Sequence, residues 1–137
     1  MDEQTRERKT KETAEKLFGR GIKMPPPYLL WREFDKDLAR EFSKFITGNL
    51  YARTVLTLSE RQMVACAALA AIRATDELKL HVNAALNVGC DARKLAESFF
   101  QIAPYTGMPA VNEALAVLKE VLKGRGEWPE KQTAGTP

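Results

Sequence analysis

The sequence predicts an all-α fold, a helical bundle of about six helices, and three observations carry that prediction. Apolar residues recur at helical spacing along most of the chain, and no stretch sustains the period-two alternation of a half-buried strand. Gly and Pro break the pattern at short intervals, so sequential helices are joined by short loops and pack as antiparallel neighbours. A chain of 137 residues, 45% hydrophobic and 28% charged, suits one domain with one core.

Residues 1–24 read as a charged arm: both charge signs alternate with only Leu17 and Phe18 as apolar anchors, the pattern of a solvated helix or a frayed segment. Pro25, Pro26 and Pro27 end it, because proline lacks the amide donor and constrains the residue before it. The helical domain is expected over residues 25–123. Trp31, Phe34, Leu38, Phe42, Phe45 and Ile46 form one stripe of a single amphipathic helix, closed by Gly48 and Asn49. Ser59, with Gln62 three residues on, has the form of a capping box, and Met63, Cys66, Ala67 and Ala70 make the inner face of an alanine-rich helix.

Thr75 is the expected cap of the next helix, which carries Leu78, His81, Val82 and Ala85 on one face and ends at Gly89. Asp91 caps the run through Leu95, Phe99 and Ile102, which breaks near Pro104 and Gly107. Pro109 suits a first helical position, and Val111, Leu115, Leu118 and Leu122 continue to Gly124. Residues 124–137, rich in Gly, Pro, Thr and charge, are expected to be a flexible tail unless Trp128 docks on a neighbour.

Charge argues against nucleic acid as a partner. Seven basic and five acidic residues precede Met24, twelve and eleven lie between Met24 and Lys123, and two of each follow, so no segment holds a one-signed basic patch. No apolar run approaches the ~20 residues that span a bilayer. The start, MDEQTRERKTKETAEK, lacks the apolar stretch of a secretory signal peptide, so the expected location is the cytoplasm.

His81, the only histidine, lies four residues after Glu77, so both project from one helix face. A carboxylate beside an imidazole holds it in one tautomer and raises its pKa, as a proton shuttle near neutral pH requires; an ordinary surface ion pair or a hydrogen-bonded core histidine has the same spacing. Tyr105, in IAPYTGMPA, offers a hydroxyl from a turn or anchors that turn to the core. Arg53 and Arg61 flank the entry to the alanine-rich helix, suited to clamping a carboxylate or bridging helices or subunits. Cys66 reads as a small buried hydrophobe. Cys90 precedes a helix start, where the dipole can lower a thiol pKa, or is an inert loop cysteine. With one histidine and two cysteines 24 positions apart, spacing supplies neither a CxxC pair nor a metal-ligand set.

Three blocks, LTLSERQMVACAALAAI, DELKLHVNAALNVG and LAESFFQIAPYTGMPAVNEAL, stand in order over residues 51–122. On these the chain resembles the carboxymuconolactone decarboxylase family of the alkylhydroperoxidase D-like superfamily. The resemblance implies an all-helical unit that assembles into trimers or hexamers, with sites near subunit interfaces. In the peroxidase branch a CxxC pair precedes the histidine by seven and four residues. Those places hold Ala74 and Glu77 here, and the glutamate of that branch's relay falls at Gln62. Glu77 and His81 match the decarboxylase pattern, in which a carboxylate occupies the thiol position, and Arg61 matches an arginine common in that branch. Gln101 stands where such decarboxylases often carry a second histidine, an amide in place of an imidazole at a substrate-binding position.

The resemblance therefore implies a cofactor-independent lyase of aromatic-acid catabolism acting on a small carboxylated lactone or related acid. Arg61 and Arg53 would hold the carboxylate, His81 oriented by Glu77 would be the acid, and Tyr105 a hydrogen-bond donor. Alternatives are a thiol-dependent peroxidase using Cys90 and a non-catalytic oligomer that binds ligands. No metal is expected, and the partners are an acidic organic molecule and further copies of the chain.

Overall fold

The computed structural model describes residues 1–129, and among them it contains helices and no strand. Eight α-helices occur in order: α1 (Glu3–Phe18), α2 (Pro27–Phe34), α3 (Lys36–Ser43), α4 (Leu58–Ala71), α5 (Thr75–Asn87), α6 (Ala92–Gln101), α7 (Ala103–Thr106) and α8 (Met108–Gly124). A π-helical turn, Lys44–Leu50, continues directly from α3.

The core lies among α4, α5, α6 and α8. Cys66, Ala70, Leu78, Val82, Ala85, Leu95 and Phe99 pack there with Ala114, Val117, Leu118, Val121 and Leu122. Most of these recur at i, i+3 and i+4, so each helix lays one face against the others. Asp91 caps α6 as expected, its carboxylate accepting from the Arg93 N–H at 2.7 Å. The α4 capping box is two residues earlier than expected: Thr57 Oγ1 accepts from the Glu60 N–H at 3.1 Å, and Glu60 Oε2 accepts from the Thr57 N–H at 2.8 Å. Thr57 outranks Ser59 because its third residue onward is an acid, which also suits the positive end of the helix dipole. Gln62 is thereby left for the interior. Ala74 rather than Thr75 precedes α5, and Pro109 is the second residue of α8.

The single helix expected from Trp31 is three segments. Asp35 adopts an extended backbone (φ −157°, ψ 110°), and its carboxylate accepts from the Leu38 N–H at 2.9 Å, ending α2 and capping α3. Gly48 does not stop a helix but lies inside the π turn, where α1 comes so close that a Cβ would collide with Thr10. The arm is neither frayed nor wholly solvated: α1 lies along the π turn and α5, with Leu17 fully buried. A polar seam secures its end, where the Asn87 amide donates to the Leu17 carbonyl (2.9 Å) and the Asn83 amide to that of Arg20 (2.9 Å). Arg125, expected in the tail, donates to both asparagine side chains at 2.8 and 2.9 Å. The Lys119 ammonium sits 5.2 Å from the centre of the Trp128 ring. The remainder of the expected tail, residues 130–137, lies outside the described residues. Among the described residues no helix is long and apolar enough to cross a membrane.

Candidate active site

A cavity of about 980 Å³ opens where α1, α2, α3 and the π turn face α5. Phe18, Pro26, Pro27, Tyr28, Trp31 and Ile46 make its apolar wall, while Lys11, Arg40 and Lys44 face Glu7, Glu15 and Glu77 around it. Thr47, Tyr51 and His81 also line it. The π turn widens the backbone at this point, bringing Lys44, Ile46 and Thr47 to one cavity wall. Lys44 is nearly buried and forms ion pairs with Glu3 and, at 3.8 Å, Glu7 of α1. The α1 wall is thus latched to the π turn.

Glu77 and His81 meet the same cavity, one helical turn apart on α5. They are not hydrogen-bonded to each other. The His81 Nδ1 lies 2.8 Å from Oε1 of Gln62 on α4, and the Phe18 ring meets the imidazole edge-on at a centroid distance of 5.9 Å. Burial against these groups pushes the His81 pKa down to about 4, opposite to the rise expected from a carboxylate partner. The imidazole is neutral at pH 7. Glu77 acts elsewhere: burial raises the Tyr51 pKa, and the Glu77 charge and Cys66 raise it further, so the phenol keeps its proton as a donor.

Nothing in the local sequence marks Tyr51 as a site residue. It sits at the end of the π turn, just ahead of the residues most like the family, and no local spacing links it to Glu77 or His81. Gln62, which spacing suggests as a capping residue and the resemblance puts at the relay-glutamate position, is fully buried. Its place at i−4 from Cys66 and i−8 from Ala70, on an otherwise apolar face, is a second sign of burial.

The remaining expected site residues do not line this cavity. Tyr105 is on α7 and 79% exposed. Arg61 Nε donates to the Arg53 carbonyl at 3.3 Å, joining the two arginines to each other outside the cavity, and Gln101 is exposed at the end of α6. Cys90 is 5% exposed, and burial raises its pKa; the Ser59 hydrogen bond and Lys94 oppose that rise, and Asp91 adds to it. The lowered thiol pKa considered for a cysteine at a helix start does not occur, because Cys90 packs into the core and burial disfavours the thiolate. Cys66 is buried as expected, its thiol pushed up to about 12, chiefly by burial. Both thiols are free. Among the described residues no cluster of three or more His, Cys, Asp or Glu side chains could hold a metal.

The family model for the carboxymuconolactone decarboxylase family matches residues 36–120, which adds α3 and the π turn to the region of resemblance and so takes in one wall of the cavity as well as Tyr51, Gln62, Glu77 and His81. A 4-carboxymuconolactone decarboxylase from Acinetobacter baylyi is 34% identical over 99 residues, covering 72% of this chain and 74% of that protein. The fold, the match across most of the helical domain and this relative agree, and the chain belongs to the carboxymuconolactone decarboxylase family.

Proposed function

We propose that the protein is a cofactor-independent carboxy-lyase that decarboxylates a small carboxylated lactone or related acid in this cavity, with His81 moving the proton. The observation that carries the reading is the placement of the chain's only histidine, neutral and mostly buried, on a cavity that also holds a protonated phenol. Membership of the family and the similarity to a 4-carboxymuconolactone decarboxylase support it.

In the reaction, the bond between ring carbon and carboxylate breaks, carbon dioxide departs, and the electron pair passes into the conjugated carbonyl. Tyr51 donates a hydrogen bond to the oxygen where charge develops. An anionic substrate offsets the burial that keeps His81 neutral, so the imidazole takes up a proton from solvent on binding and delivers it to carbon. Lys11, which has no ion-pair partner among the described residues, and Arg40 supply positive charge for the substrate's carboxylates. Glu77 faces the cavity from the turn before His81 and favours the imidazolium once formed. Arg61, Arg53, Gln101 and Tyr105, outside the cavity of one chain, would act only across a subunit boundary. Self-association of this kind, into a trimer or hexamer, is supported by the apolar row that α2, α3 and the π turn leave uncovered. The buried Cys90 thiol disfavours the peroxidase alternative.

Incubation with 4-carboxymuconolactone should release carbon dioxide. His81→Ala should lower kcat by about 10²–10⁴-fold, the usual contribution of a proton-transfer group. Turnover unchanged by that substitution would remove the mechanism. Loss of an organic hydroperoxide in the presence of a dithiol, abolished by Cys90→Ser, would replace the lyase with a peroxidase, and carboxylate ligands that bind and leave unaltered would favour a binding role.

A further inference from the structure

Gln62 is an anomaly in the core. It shares one face of α4 with Cys66 and Ala70, and like them it is inaccessible to solvent. A buried primary amide is costly wherever a polar group is left unmatched, and its Nε2 has no partner among the described residues. Only the contact of its carbonyl oxygen with His81 Nδ1 holds it.

We propose that Gln62 is the positioning residue for His81: its carbonyl accepts the Nδ1–H, fixing the imidazole as the Nδ1–H tautomer and leaving the Nε2 lone pair as its free basic atom. The proposal deepens the lyase reading and rests on His81 being the proton carrier there. The opposite arrangement, with the amide donating to Nδ1, would put the ring proton on Nε2. Protonating that ring would then require the amide to turn over inside the core, because an imidazolium donates from both nitrogens. With the carbonyl already on the Nδ1–H, a proton arrives at Nε2 and leaves again while the Gln62 hydrogen bond stays in place. An amide also cannot take the proton itself, so the charge stays on the imidazole that faces the cavity.

The charged and titratable groups sharing that cavity are Glu7, Lys11 and Glu15 from α1, Tyr28 from α2, Arg40 from α3, Lys44 from the π turn, Tyr51 just after it, and Glu77 from α5 itself. None of them hydrogen-bonds the imidazole. Among the described residues, Gln62 is the side chain given that position.

Because His81 is the only histidine, nitrogen-15 NMR of histidine-labelled protein reports it alone and needs no substrate. In the unmodified chain at pH 7 the pattern should be that of Nδ1 protonated and Nε2 bare. Gln62→Met, similar in size but without an acceptor, should lose that pattern in favour of the Nε2–H form or a mixture. Gln62→Glu should keep Nδ1 protonated and raise the proton affinity of the ring at least about tenfold, since a buried carboxylate favours the imidazolium. An Nε2–H ring in the unmodified protein, or a pattern unmoved by Gln62→Met, would overturn the proposal. If Gln62→Met does not fold, the Gln62→Glu titration decides: an unchanged midpoint has the same adverse meaning. Failure to release carbon dioxide from 4-carboxymuconolactone, with the tautomer as proposed, would count against the lyase reading alone.

Discussion

Residues 58–124 bury far more of their large apolar side chains than residues 1–50 do. In the first region Phe99, Leu78, Leu95 and Leu122 are among the largest side chains shut off from water. In the second, Leu17 and Ala39 are the buried apolar residues, while Phe34, Leu38, Phe42 and Phe45 are each at least half exposed. Within the N-terminal layer Lys44 pairs with the α1 carboxylates and Trp31 meets Phe42 edge-on at 6.0 Å, while asparagine amides of α5 tie the end of α1 to the core helices. Helices α4 to α8 thus hold the main core, whereas the layer before them supplies most of the cavity wall and an uncovered surface. His81 lies where the two meet.

The largest expected effect tests that contrast with two phenylalanines. Phe99→Ala removes a fully buried ring and should cost about 3–5 kcal/mol in urea unfolding. Phe34→Ala, at a position 86% exposed, should change stability by no more than about 0.5 kcal/mol in dilute protein. Equal losses would break the comparison. A loss at Phe34 that grows with protein concentration would sharpen it, by identifying a second copy as the missing cover.

The same contrast explains what the sequence could tell. Helices α4 to α8 were legible because core, caps and Gly turns there obey local rules: Asp91 caps α6, and Gly89 takes the positive φ (86°) that follows α5. In the N-terminal layer the stripe from Trp31 was real, but periodicity does not register a break that one side chain makes by turning to a nearby amide, as Asp35 does. The site was half legible. Glu77 and His81 share a helix, so spacing brings them to one cavity, but the partners that set their chemistry, Gln62 and Tyr51, arrive from other elements at separations no periodicity covers. Of the readings that the i,i+4 spacing leaves open, His81 comes nearest to a hydrogen-bonded core histidine, because burial dominates at this seam.

The next effect in size is pH dependence at the seam. His81 has a folded pKa of about 4 against an ordinary 6.5, so above pH 6.5 both folded and unfolded chains carry it neutral and its contribution is fully present. As pH falls from 6.5 towards 4, the unfolded chain binds the proton first, and up to about 3 kcal/mol of stability is lost before the folded imidazole protonates too. His81→Asn should remove that part of the slope between pH 7 and pH 4. The N-terminal latch behaves differently. The Lys44 hydrogen bond holds the Glu3 carboxyl below its ordinary 4.5, so its small contribution disappears only at still lower pH.

The smallest effect separates the two regions through a single type of interaction. Asp35 and Thr57 each satisfy an amide at the start of a helix, at 2.9 and 3.1 Å, and replacing either by alanine should cost its helix about 1 kcal/mol. The consequence depends on what each helix is bound to. Helix α4 contributes Cys66 and Ala70 to the core, so Thr57→Ala weakens the cooperative unit and should lower the urea midpoint of the whole protein. Helix α3 buries only Ala39 and packs chiefly on α2 and the π turn, so it can open while the core stays closed. Asp35→Ala should therefore speed hydrogen exchange of the α3 amides about five- to tenfold and leave the global midpoint nearly fixed. If Asp35→Ala instead shifts that midpoint as far as Thr57→Ala, the layer folds with the core, and the wall of the cavity is as firmly built as the helix that carries His81.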